Sequence, residues 1–150
     1  MQKRAVATGA LLALFAMLSP ALADSDSDQL IRAGMIGTWT FDCNALPSKS
    51  NPYITYAPSV HGSPTRTVLI GVPVALPMEV VTEARSIAED RISLTQTSPD
   101  GSKLRLILLL SGNRHRSLQS IDGKGSVLIK DGRFTKDGSE TRWLTRCPAR

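Results

Sequence analysis

The chain has 150 residues, 41% of them hydrophobic and 21% charged, with a formal charge of +5 and only two cysteines and two histidines. Residues 1–23 hold two of the 18 basic residues and none of the 13 acidic ones, so the remaining 127 carry +3, an ordinary charge that does not argue for a nucleic-acid partner. That length suits a single domain and is too short for two cores.

Residues 1–23 read as a secretory signal peptide. Lys3 and Arg4 form the positive start, residues 5–18 are uncharged and mostly apolar, Pro20 breaks the helix, and Ala21-Leu22-Ala23 supplies small residues for cleavage after Ala23. The apolar stretch is shorter than the roughly 20 residues that span a bilayer. No cysteine follows it closely, so a lipoprotein anchor is not indicated. The later apolar run 104–110 is strand-sized and contains Arg105, and no membrane span is expected in the mature chain. The expected address is the periplasm or the exterior.

Residues 24–35 read as a flexible or short-helical segment. The acidic stretch 24–28 is expected to fray, and 29–35 to form a helical turn with Asp28 as N-cap and Gly34 near its end. Residues 36–148 are expected to form one β domain.

Residues 38–43 alternate cleanly, with Trp39, Phe41 and Cys43 on one face and Thr38, Thr40 and Asp42 on the other. A proline-, serine- and asparagine-rich loop follows at 44–52, then a short strand at 53–56 and a second loop at 58–64. Residues 65–72 read as a strand, and Pro73 and Pro77 frame a broken segment. Residues 78–90 fit either period; the strand-like neighbours favour strand, turn, strand, with the turn near 88–90, over a helix. Strands are expected at 91–97, 104–110, 114–121, around 126–129 and at 141–147. Turn signals separate them at Asp100-Gly101, Gly112-Asn113, Asp122-Gly123, Asp131-Gly132 and Asp137-Gly138. Turns recurring about every ten residues imply an all-β antiparallel meander, a small barrel or sandwich of eight or nine strands.

Cys43 and Cys147 bracket nearly all of this domain. In an exported chain two such cysteines most simply pair; a redox dithiol would favour the close C-x-x-C spacing, which they lack. Pairing constrains closure. In an even-stranded up-and-down barrel the first and last strands are antiparallel neighbours, so cysteines ending each would lie at opposite rims, yet their Cα atoms must approach within about 7 Å. Parallel closure, a strongly offset last strand or a returning tail would resolve this. Trp39 and Trp143 each stand four residues before a cysteine and are expected to pack in the core around the bond.

Catalytic chemistry finds little support. There is no G-x-S-x-G elbow and no free cysteine beyond the expected pair, and Gly123-Lys124-Gly125-Ser126 lacks the spacing of a phosphate loop. His61 and His115 show no metal-ligand spacing, and neither a metal nor a cofactor is expected. Sparse aromatics offer no platform for single-stranded nucleic acid. The densest basic feature is Arg114-His115-Arg116, whose alternation puts both arginines on one face; with Arg142 they are the candidate ligand- or anion-binding residues, against the alternative of a solvated strand face.

Gly37-Thr38-Trp39, opening the first strand, resembles the G-x-W signature of lipocalin-like, calycin-type barrels. The resemblance implies a tryptophan packed at the closed end, often with an arginine from the last strand, which Arg142 or Arg146 would supply; Gly37, Trp39 and Trp143 form the core signature. The wider chain resembles small exported proteins of Gram-negative bacteria of unassigned function, through 37–43 (GTWTFDC), 51–56 (NPYITY), 113–116 (NRHR) and 140–147 (ETRWLTRC). The expected function is non-enzymatic binding of a small apolar, amphipathic or anionic ligand. The alternative is a periplasmic protein-binding module, such as a protease or lysozyme inhibitor, with loops 44–52 and 58–64 as contacts. A filled barrel with an exposed, ordered loop would favour the second reading.

Overall fold

A computed structural model describes residues 25–59 and 62–149. The expected signal peptide with its cleavage site, and His61, lie outside the described residues. Ten strands follow in chain order: β1 (Gly37–Thr40), β2 (Tyr53–Ala57), β3 (Thr65–Leu69), β4 (Glu79–Ala88), β5 (Arg91–Thr97), β6 (Lys103–Ser111), β7 (Arg114–Asp122), β8 (Val127–Lys130), β9 (Arg133–Phe134) and β10 (Leu144–Arg146). Every pairing is antiparallel and sequential, and β10 closes the sheet by bonding to both β1 and β7. Strands β1–β7 with β10 therefore make a closed eight-stranded barrel. The hairpin β8–β9 extends from the second half of β7.

Alternation builds the core. Trp39, Tyr56, Val68, Val81, Ile92, Leu94, Leu106, Leu108 and Leu144 are buried at inward positions. Most of them join one cluster inside the barrel, together with Leu30 and Met35 from the segment before β1. These two side chains are fully buried, each contributing roughly 1.5–3 kcal/mol by removal from water. Strand β6 lies between β5 and β7 with its even-numbered leucines inward and Arg105 exposed, as its apolar run implies.

The helix starts earlier than its sequence signals implied. It spans Asp26–Arg32 (α1), and Ser25, not Asp28, is the N-cap. The Ser25 hydroxyl accepts the Asp28 N–H (3.1 Å), and Asp28 accepts in return, closing a capping box. Asp26 accepts the Ala84 N–H on β4 at 2.7 Å, so residues 25–28 of the acidic stretch are docked instead of frayed. Residues 79–97 form strand, turn, strand as expected. Strands β1, β3 and β10 are shorter than expected, and the two-residue β9 was not foreseen.

The shortening of β1 resolves the disulfide geometry. Cys43 and Cys147 are bonded, with Cα atoms 5.6 Å apart. Closure is antiparallel and the barrel even-stranded, and Cys147 continues the β10 ladder by donating its N–H to Thr38 O (2.8 Å). It is Cys43 that returns: the strand stops at Thr40 and the chain doubles back over its outer face. Asn51 holds this reversal. Its Oδ1 accepts from Thr40 Oγ1 (2.8 Å) and the Asp42 N–H (2.9 Å), and its Nδ2 donates to Asp42 O (2.9 Å). Thr40 is thus fully buried although it points outward. A bond of this kind, with no helix long and apolar enough to cross a membrane among the described residues, is compatible with export.

Gly37 has a physical role in the G-x-W opening. Its φ is +132°, and a Cβ there would stand 3.1 Å from Arg146 Nε. Gly37→Ala is expected to cost about 1–3 kcal/mol through strain at that backbone angle, added to displacement of Arg146. Urea unfolding measures it, and an unchanged midpoint would refute this role.

Candidate functional site

Alternation puts Arg114 and Arg116 on the outside of the barrel and His115 inside, as the sequence implied. Trp143, expected in the core, instead lies on the outside just before β10. The guanidinium carbons of Arg114 and Arg116 stand 5.0 and 5.1 Å from its ring centroid. Trp143 alternates with inward Leu144, so the same parity that places it with Cys147 puts both on the outer face. The two arginines face away from the barrel interior. Arg142 is not part of this group; it covers the Phe41 ring at 3.7 Å. Arg116 also lies 4.0 Å from Glu140, which is bound by Arg133 at 2.6 Å. These guanidiniums are in part committed to aromatic faces, a use that stabilises by packing as well as by charge.

Trp39 is buried as expected. Its Nε1 donates to Met35 O (2.8 Å), and its ring meets that of His115 edge-on at 4.6 Å. Of the two arginines the G-x-W resemblance offered, Arg146 is the one opposite Trp39 in register.

An inward polar group escaped the sequence reading. Arg66 pairs across the sheet with Tyr56 and Glu79 and so shares their inward face. Its guanidinium binds Glu79 at 2.6 Å beside a cleft lined by Leu76, Pro77, Ser98 and Pro99. Deeper, Gln96 donates to the Tyr56 hydroxyl at 3.1 Å. Arg66 Nε, Gln96 Oε1 and both ring nitrogens of His115 are buried without a hydrogen-bond partner among the described residues. Burial, and secondly the Arg66 charge, lowers the His115 pKa to about 4, so the imidazole is neutral at pH 7. Period-two phasing from Tyr56 and Val68 was the available signal for inward Arg66.

A groove of about 890 Å³ lies against the outer face of β1–β3 and reaches Gly37 and Arg146 at the barrel rim. One wall is the returning loop with Leu46 and Pro47, another the segment from Cys147 through Pro148, and a third Leu69 and Val72. The disulfide joins the first two walls. Beyond Val72 the chain forms an ordered hairpin, with Ile70 N–H bonded to Val74 O (3.0 Å) and Leu76 N–H to Val68 O (2.8 Å). Residues 70–78 contain no polar side chain. Val72, Val74, Leu76 and Met78 are nevertheless 71, 54, 45 and 53% exposed, and Leu46 is 77% exposed. Sequence reading passed over this hairpin as a segment broken by prolines. A nine-residue apolar run that prolines keep out of any inner strand was the signal.

Among the described residues no group of three or more histidines, cysteines or carboxylates is placed to hold a metal ion. The fold is an antiparallel barrel compatible with a lipocalin-like one. The chain matches no protein-family model, no curated protein and no solved structure.

Proposed function

We propose that this is an exported, periplasmic or secreted, non-enzymatic binding module of lipocalin-like type whose partner is another protein. The apolar hairpin at 70–78 carries this reading, because four large apolar side chains stand in solvent on an ordered element beside a barrel with its own hydrophobic cluster inside. Exposed apolar clusters of this sort mark interaction surfaces. The groove extends the same surface, and loop 44–52, one of the two loops the sequence nominated, lines it through Leu46 and Pro47. Inhibition of a protease or lysozyme is one activity such a module would serve.

The experiment is site-specific photocrosslinking from position 72 in the native host, with Val74→Asp/Leu76→Asp as control. One recurrent protein adduct is expected, lost in the control, while stability changes by about 0.5 kcal/mol or less because both positions are exposed. Absence of any protein adduct above background would sink the reading. A small apolar or amphipathic ligand is the second reading, favoured by a groove size within the roughly 300–1,000 Å³ of ligand pockets. Native mass spectrometry of the purified protein would reveal a retained small molecule.

A further inference from the structure

We infer that the groove receives an extended peptide segment of the partner, bearing one or two apolar side chains and a carboxylate that pairs with Arg146. The inference rests on the protein-partner reading above and adds the chemistry of what is bound.

Three observations carry it. Arg146 lines the groove and forms no ion pair with any described residue. Its side chain passes close over Gly37, where a Cβ would stand 3.1 Å from Arg146 Nε. An unpaired guanidinium beside apolar walls is complementary to a carboxylate next to apolar side chains. Second, the walls alternate in character. Leu46, Pro47, Leu69 and Val72 offer apolar facets, while Asn44 and Asn113 present side-chain amides that bond to no described residue. Peptide groups have donors and acceptors for both amides. An acyl chain has neither, and covering the amides with hydrocarbon costs about 1–3 kcal/mol for each group left unpaired. Third, the groove is open along the outer sheet face and continuous with the exposed hairpin through Val72. An extended segment can lie in it while the rest of its protein covers residues 72–78. The disulfide ties two of the walls and sets the groove's width before binding, which lowers the ordering cost.

The test is selection of a displayed heptapeptide library on the intact, disulfide-bonded protein. Enriched sequences are expected to combine apolar residues with Asp or Glu. Replacing that acid by its amide in a synthetic peptide should weaken binding about tenfold or more, as loss of a charge-assisted bidentate pair does. Arg146→Gln should weaken the acidic peptide equally while leaving the amide peptide unchanged, so the two changes are not additive. Leu46→Asp, on an exposed loop residue away from barrel closure, should abolish binding of both peptides and leave the melting temperature unaltered. Enriched peptides without an acid, or equal affinities for acid and amide, would overturn the inference and leave the protein-partner reading standing. Enrichment of no peptide would also overturn the inference, and retention of dodecanoate by the wild-type protein but not by Leu46→Asp would then assign the groove to a lipid.

Discussion

Replacing Cys43 and Cys147 together by alanine is expected to lower unfolding stability by about 4–5 kcal/mol and the melting temperature on the order of 15 °C. The bond spans 104 residues of chain. In the chain-entropy description, a loop of about that size restricts the unfolded ensemble by nearly the maximum a single bond achieves. The folded side adds to it. Strand β10 has only three residues, yet it closes the barrel against both β1 and β7, and Cys147 extends it by one further hydrogen bond to Thr38. Without the bond, the short closing strand is anchored by Leu144, its ladder hydrogen bonds and the Arg146 contact alone. Urea titration of the double variant measures the effect. Its m-value should rise, because the uncrosslinked unfolded chain exposes more surface. A loss below about 1 kcal/mol would show that closure is independent of the bond.

Acidification between about pH 6.5 and 4 is expected to destabilise the barrel by about 3 kcal/mol through His115 alone. The folded-state pKa is depressed to about 4 by burial and then by Arg66, while the unfolded chain titrates near 6.5. In that window the unfolded chain takes up a proton that the folded chain refuses. Stability is therefore full above 6.5, falls as pH drops towards 4, and levels below. Asp28, Asp100, Asp122 and Asp137 have pKa values lowered below 3.8, chiefly by hydrogen bonds, so what they contribute is lost at more acid pH than this window. His115→Phe should flatten the slope between 6.5 and 4. It should also raise stability at pH 7 or leave it unchanged, since neither ring nitrogen has a partner to lose. A variant with the same slope as wild type would place the acid sensitivity elsewhere.

The barrel was legible because its signals are local. Period-two alternation at 91–97 and 114–121, and turn dipeptides such as Asp122-Gly123, mark strands and reversals whatever lies across the sheet. The disulfide was legible because only two cysteines exist. What stayed hidden depends on distant contacts. The end of β1 at Thr40 is set by Asn51, nine residues beyond Asp42, and alternation continuing to Cys43 gave no sign of the reversal. Trp143 looked like core because tryptophan usually is, and its place among Arg114 and Arg116 depends on where β7 lies. The helix start was missed for want of Ser25's capping partner in the reading, although Ser25 and Asp28 have the required spacing. Of the candidate site, the basic residues were visible by charge. The groove was not, since its walls come from 44–47, 69–72 and 146–148 and meet only after the barrel closes.

Closure by residues 144–147 also sets the timing of folding. A chain synthesised or threaded through a pore from its N-terminus can pair β1 through β7 as each emerges. It cannot seal the sheet, or form the bond to Cys43, until the residues around Cys147 are free. Until then β1 carries an unpaired edge and Cys43 an open thiol, so the growing chain is at its most vulnerable to wrong pairing late in its emergence.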